Sequence, residues 1–186
     1  MEHARIPRVA VADYLAGEQT SELRHEYVGG RVFAMAGAGK RHGRVVMNLG
    51  ASLHLAAGDG PCRVFVADMK VRIEAADVFY YPDIVAGCDP SDDHELYFRS
   101  PCLVVEVLSD STERADRGEK WRNYQLLSSL KEYVLVDSRR VHVEVYRHGE
   151  AGWDCYTLAA DDVYDSACVN ARIAVAEIYA GLQLSA

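Results

Sequence analysis

Pro101-Cys102-Leu103-Val104-Val105-Glu106-Val107-Leu108 decides the fold. Apart from Glu106 the run after the proline is apolar at every position, and it has the length of a strand. Unbroken apolarity, in place of alternation, marks a strand buried on both faces, which places it in the middle of a sheet covered from both sides. Glu106 is the exception. A carboxylate in such a strand is costly unless it is paired, hydrogen-bonded or bound to a cation.

Downstream, Asp110-Ser111-Thr112-Glu113 predicts a helix start, with Asp110 as cap and Glu113 three residues on. The helix is expected to run to about Leu127, with Trp121, Tyr124 and Leu127 or Leu130 on its inner stripe. Strands are expected at Glu132 to Asp137, Val141 to Arg147 and Trp153 to Leu158, and a short closing helix at Val175 to Leu182. Upstream, Phe79 to Ala86 reads as a strand containing Tyr81-Pro82-Asp83; the proline lacks a ladder donor, so it belongs at an edge, a bulge or a strand start. Arg63 to Ile73 alternates Phe65, Ala67, Met69, Val71 and Ile73 against a face that ends in Asp68, Lys70 and Arg72. Val45, Val46, Leu49, Leu53 and Leu55 recur near helical spacing and predict a helix over Lys40 to Ala57, closed by Gly58-Asp59-Gly60-Pro61. Gly29-Gly30 between two strand-like runs predicts a hairpin, because both turn positions accept positive φ. A short helix at Val11 to Ala16 opens the chain. The expectation is a mixed α+β or α/β fold with a central sheet flanked by helices, built as a single domain over residues 1–186.

Composition narrows the function. The chain has 186 residues, ordinary for one domain, and its 49% hydrophobic and 26% charged content is that of a globular protein. No apolar run approaches membrane-span length, and the N-terminus has no signal-peptide core, so a soluble cytoplasmic protein is expected. With 20 basic against 28 acidic residues the formal charge is −8, so a nucleic-acid partner would have to be met by a local basic surface. The five cysteines, Cys62, Cys88, Cys102, Cys155 and Cys168, include no C-x-x-C pair. The expectation is therefore no disulfide framework and no structural zinc site, with Cys62, Cys102 and Cys155 as reduced thiols in a strand core.

Asp83, 23 residues before Glu106, sits in a second strand. If the two strands are neighbours, both carboxylates leave the same edge, and two hard oxygen donors with open positions suit Mg²⁺ or Mn²⁺. Lys120, on the following helix, can aim an ammonium at the same pocket to orient a water or stabilise a phosphorane. Each residue also has a plainer reading. Glu106 could pair with a buried arginine, Asp83 could be turn chemistry after Pro82, and Lys120 could form an exposed i,i+4 pair with Asp116. Their order along the chain favours the joint site. G-x-S-x-G, H-E-x-x-H and the phosphate-loop motif are absent.

Tyr81-Pro82-Asp83-Ile84-Val85, Val104-Val105-Glu106-Val107-Leu108-Ser109, Asp116-Arg117-Gly118-Glu119-Lys120 and Glu132-Tyr133-Val134-Leu135-Val136-Asp137 resemble the Uma-two family across nearly the whole chain. The resemblance implies a restriction-endonuclease-like, PD-(D/E)XK core with Asp83 and Glu106 as metal ligands, Glu26 as a further acidic ligand, and His42 as the family's histidine near the phosphate. In the usual tripeptide the lysine stands two residues past the glutamate, where this chain has Leu108. Lys120 is therefore the first candidate for that role and Lys70 the second. The reading that follows is a Mg²⁺- or Mn²⁺-dependent phosphodiesterase acting on DNA, with Arg114, Arg117, Lys120, Arg122, Lys40, Arg41 and Arg44 as the basic residues able to line a groove. A homodimer is implied by resemblance alone. The rivals are a non-catalytic nucleic-acid-binding or regulatory module that retains the fold, and a hydrolase of small phosphodiesters.

Overall fold

The computed structural model describes residues 8–35 and 37–184. Helix α1 (Val11–Thr20) leads into strands β1 (His25–Val28) and β2 (Arg31–Ala34), joined at Gly29 and Gly30. Both glycines have positive φ, as the hairpin requires. Gly30 has a second constraint, because a Cβ there would stand 2.6 Å from Arg8 Cβ. Helix α2 (Lys40–Ala57) follows, then β3 (Arg63–Val66), β4 (Lys70–Ile73), β5 (Val78–Tyr80), β6 (Ile84–Gly87), β7 (Tyr97–Phe98) and β8 (Leu103–Leu108). Next come α3 (Glu113–Ala115), a π-helical turn over Asp116–Lys120, and α4 (Trp121–Tyr124), which continue one another. The chain ends with β9 (Glu132–Asp137), β10 (Val143–Gly149), β11 (Gly152–Leu158), β12 (Val163–Ser166), β13 (Ala171–Ala174) and α5 (Val175–Ile178).

The strands form a six-stranded sheet, β11-β10-β9-β8-β6-β3, a five-stranded sheet, β2-β1-β5-β4-β7, and the β12-β13 hairpin. Within the larger sheet β8 runs parallel to β9 and antiparallel to β6. All six residues of β8 are buried, as its apolar run requires. On one face Leu103, Val105 and Val107 pack with Ile84, with Val45, Leu49 and Leu53 of α2, and with Ile173 and Ile178 of the C-terminal segment. On the other, Val104 and Leu108 pack with Tyr124, Leu130, Tyr133 and the five-stranded sheet's Val71, Ile73 and Tyr80. Each fully buried Leu or Val of this strand is worth about 1.5–3 kcal/mol relative to exposure.

Several expected elements divide. Phe79 to Ala86 is not one strand, since β5 ends at Tyr80 and β6 begins at Ile84, in different sheets. Pro82 lies in the break, where no ladder donor is needed. Arg63 to Ile73 likewise splits into β3 and β4 around Ala67, whose φ of 53° ends the strand. The helix expected from Asp110 begins at Glu113, because Asp110 is drawn away to Arg139 and Glu113 N–H instead donates to Ser109 O at 3.0 Å. Helix α1 reaches Thr20, beyond the expected Ala16, whereas α5 stops at Ile178. Periodicity did not reveal β12 and β13, which are only four residues each.

The cysteine expectation is corrected. Cys62 is joined to Cys88 and Cys102 to Cys168, and Cys155 is free but exposed. Local spacing carries no sign of this, because the fold brings together cysteines 26 and 66 residues apart. No helix among the described residues is long and apolar enough to cross a membrane.

Candidate active site

Strand register sets the two sequence-predicted carboxylates against each other. Ile84 on β6 pairs with Val105 on β8. One further step of this antiparallel register places Asp83 opposite Glu106, on the face that carries Val85 and Val104. The break at Pro82 leaves Asp83 outside the regular ladder, yet its side chain is held. Asp83 Oδ2 accepts from the Val107 N–H at 2.7 Å and lies 3.1 Å from Nε2 of His42, in the first turn of α2.

Lys120 enters from the π-helical turn. Its Nζ lies 3.0 Å from Glu26 Oε1, 3.2 Å from Glu106 Oε1 and 3.2 Å from Asp116 Oδ1. Lys120 and Asp116 are four residues apart and therefore share a helix face. Glu26 comes from β1, where its Oε1 also faces the Tyr81 N–H at 3.4 Å. The Tyr124 hydroxyl donates to Glu106 Oε1 at 3.4 Å, and the Tyr80 ring lies 5.6 Å from the ammonium. Three elements thus converge on one buried amine.

The charges are strongly coupled. Burial pushes the Glu106 carboxyl well above the usual glutamate range, with Lys120 opposing the rise and Asp116, Asp83 and Glu26 adding to it. Asp116 is raised by burial too. Burial alone would lower the Lys120 pKa, but Glu106, Glu26 and Asp116 outweigh it and hold the ammonium well above its ordinary value. Burial and the mutual repulsion of the carboxyls thus oppose their ionisation, and the shared Lys120 ammonium offsets part of that cost. Burial also opposes the His42 charge, but its contact with Asp83 raises the pKa overall.

This arrangement has known relatives. A family model described as "Putative restriction endonuclease", Uma2, matches residues 11–168. The chain belongs to the Uma2 family. A Synechocystis protein, slr1290, is 36% identical over 183 residues, covering 96% of this chain and 95% of its own. A second Synechocystis protein, sll1609, is 31% identical over 149 residues, covering 78% and 84%. The fold matches the crystal structure titled as a putative nuclease belonging to DUF820 from Anabaena variabilis, with a TM-score of 0.70 at 14% identity, covering 86% of this chain and 91% of that one. The restriction-endonuclease-like fold expected from the sequence is therefore the fold of the chain.

In this Uma2 chain Glu26, Glu106 and Lys120 meet directly, and Asp83 and His42 adjoin them. Asp116 was missed as a site residue. Its spacing from Lys120 is visible in the sequence, but reads there as an exposed pair, whereas Asp116 is 1% exposed. Lys70 lies elsewhere, with its Nζ donating to the Tyr81 hydroxyl at 3.2 Å, and Tyr81 in turn donating to Glu18 at 2.8 Å. Among the basic residues, Arg117 is engaged by Glu113 and Glu144. Lys40, Arg41, Arg44, Arg114 and Arg122 are exposed. His25 faces Glu18 and His142 faces Glu144, while His3 lies outside the described residues. No three carboxylates among the described residues bring ligand oxygens within 4.8 Å of one another. The Lys120 ammonium stands among them instead.

Proposed function

We propose that this Uma2 protein hydrolyses phosphodiester bonds in DNA, using a divalent cation, Mg²⁺ or Mn²⁺, held by Asp83 and Glu106 with Glu26 as a further ligand. The observation that carries the proposal is the opposition of Asp83 and Glu106 across β6 and β8, with the Lys120 ammonium 3.2 Å from Glu106. The donor chemistry of Asp83 and Glu106 is the kind such a cation takes. The donor atoms are hard carboxylate oxygens, and Glu106 is buried where an uncompensated carboxylate is costly. When bound, the cation supplies a Lewis acid for the phosphoryl oxygen and acidifies a coordinated water.

The chain's own residues perform the positioning. The Val107 N–H fixes the Asp83 carboxylate, and His42 Nε2 beside it holds the same carboxylate oxygen and can exchange a proton there. Lys120 donates to the attacking water and offsets charge that develops on the phosphorane. Tyr124 keeps Glu106 oriented. Lys40, Arg41 and Arg44 flank His42 on the exposed start of α2 and are placed to meet neighbouring phosphates, despite the net charge of −8.

One observation favours a second reading. Lys120 already occupies the space between the carboxylates, as it would in a non-catalytic module that retains the fold. A cleavage assay with Mg²⁺ and with Mn²⁺, on supercoiled, linear and single-stranded DNA and on RNA, separates the two. Metal-dependent cleavage that disappears in Lys120→Met and Asp83→Asn supports the nuclease. Binding of DNA without cleavage under any metal supports the module.

A further inference from the structure

Cys62, Cys88, Cys102 and Cys168 come from four separate segments, and their sulfurs gather in one place. Cys62 immediately precedes β3 and Cys88 immediately follows β6. The β3–β6 register pairs Arg63 with Gly87, so the next step sets Cys62 opposite Cys88. Cys102 immediately precedes β8, and Cys168 lies in the turn between β12 and β13. The cluster therefore sits at the end of β6 opposite Asp83 and ahead of the β8 residue that bears Glu106, apart from the carboxylate site.

The two bonded pairs are not separate. Cys88 Sγ lies 3.3 Å from Cys102 Sγ and 3.8 Å from Cys168 Sγ. The sulfurs of Cys88, Cys102 and Cys168 all lie within 4.8 Å of one another, and the Cys62 sulfur is bonded to that of Cys88, from which it would turn to become the fourth ligand on reduction. In a tetrahedral zinc–thiolate centre, Zn–S bonds of about 2.3 Å put neighbouring sulfurs about 3.8 Å apart. The contacts between the pairs already have that scale. Cys102 and Cys168 are 6% and 9% exposed and Cys62 and Cys88 are half-buried, so one side of the cluster is sheltered from bulk water.

We propose that the reduced form of this cluster is a tetrathiolate site for a soft divalent cation, Zn²⁺, ligated by Cys62, Cys88, Cys102 and Cys168. Thiolate sulfur selects zinc over Mg²⁺ or Mn²⁺, so the centre does not compete for the cation of the carboxylate site. Four protein ligands leave no open position, which makes the site structural. Reaching it from the bonded pairs consumes two equivalents of a dithiol reductant. Each equivalent gives two electrons and two protons to one disulfide and becomes a disulfide itself. The zinc ion then displaces four protons from four thiols. Its effect is to fasten the β12–β13 turn and the entry to β3 onto the ends of β6 and β8.

The test uses the full chain, reduced with a dithiol, freed of it without air, and loaded with Zn²⁺ or Co²⁺ alone. Elemental analysis should find one zinc per chain, and the Co²⁺ form should show intense thiolate-to-cobalt charge-transfer bands and a tetrahedral ligand-field spectrum. Cys88→Ser and Cys168→Ser should lose most of the bound metal, while Cys155→Ser, which alters the exposed cysteine outside the cluster, should keep it. Absence of zinc from reduced wild-type protein that is still folded by circular dichroism would overturn the proposal, as would equal zinc content in Cys88→Ser. Should the cluster variants fail to fold, the wild-type cobalt spectrum decides, because oxygen-only coordination excludes the thiolate centre.

Discussion

Lys120 Nζ reaches Glu106 Oε1 at 3.2 Å from a helical turn, although Glu106 lies on the central strand and the two are 14 residues apart. On the strand itself, the position two past Glu106 is Leu108, which is fully buried among Val104, Tyr124 and Tyr133. A lysine there would put a second charge into an apolar layer. Delivering the ammonium from the helix keeps that layer intact and lets Glu26 and Asp116 share the charge.

The first prediction concerns Lys120→Met. Removing the ammonium leaves Glu106, Asp116 and Glu26 without their common partner. Breaking a buried ion pair from one side costs about 3–5 kcal/mol. Glu106 already has a raised pKa and would rise further, so its folded form binds a proton more readily than its unfolded form. The variant should therefore be most stable in acid and lose stability as pH climbs through the ordinary glutamate value of about 4.3 toward the folded one. Thermal melts from pH 4 to 8 read this, and cleavage at neutral pH should fall by at least about 100-fold. A variant deficit in melting temperature that is independent of pH would contradict the burial of these charges.

A second prediction joins metal to stability. A cation bound to the folded chain alone stabilises it by mass action, about 2.7 kcal/mol at a hundredfold excess over Kd. Mg²⁺ or Mn²⁺ should therefore raise the melting temperature of wild type. In Asp83→Asn the amide oxygen can still accept from the Val107 N–H, so the metal-free melting temperature should be equal to wild type or higher, while the metal-induced rise and cleavage disappear. A variant that melts lower yet responds to metal like wild type would reduce Asp83 to a structural acceptor.

The sequence was most informative where burial is extreme. The apolar run around Glu106, and the cost of a carboxylate within it, can both be read without coordinates. Pro82 signalled a defect in the strand, but not that Asp83 would stand at the boundary between two sheets. That boundary depends on which strands pair, a long-range property with no local sign. Asp116 illustrates the limit from the other side: an i,i+4 acid–lysine pair has the same spacing whether it faces water or lies 1% exposed. The cysteines were misread for a similar reason. Nothing in a separation of 66 residues announces that Cys102 and Cys168 will touch.

A third prediction tests the support beneath Lys120. Arg117, three residues earlier, grips Glu144 through two bonds of 2.6 and 2.7 Å, tying the π-helical turn to β10. The Arg117 hydrogen bonds hold the Glu144 carboxyl below the usual glutamate range despite its partial burial. A lowered folded pKa contributes stability that is present above the unfolded value of about 4.3 and is lost as pH falls through the folded one. Glu144→Gln should therefore melt lower than wild type at pH 7, by about 1.5–3 kcal/mol for a charge-assisted pair. The gap should close in acid below the lowered pKa. Chemical denaturation at pH 7 and at pH 3 measures it, and a gap that widens at pH 3 would refute the assignment.

The last prediction separates the two lysines. Lys70 is buried, with its ammonium against the Tyr81 hydroxyl and ring, and burial lowers its pKa despite the favourable pull of Glu18. In the folded state it therefore gives up its proton at lower pH than in the unfolded chain, so wild type should gain stability as pH rises through the lowered value toward the ordinary lysine value of about 10.4. Lys70→Met removes the buried charge and should lack that gain. Its cleavage rate should stay within about threefold of wild type, because no contact links Lys70 to Glu106 or Asp83, whereas Lys120→Met should abolish cleavage. If instead Lys70→Met is inactive and Lys120→Met still cuts, the water-orienting role passes to Lys70. The buried ammonium at Glu106 would then be a structural charge, holding together carboxylates that the fold has crowded.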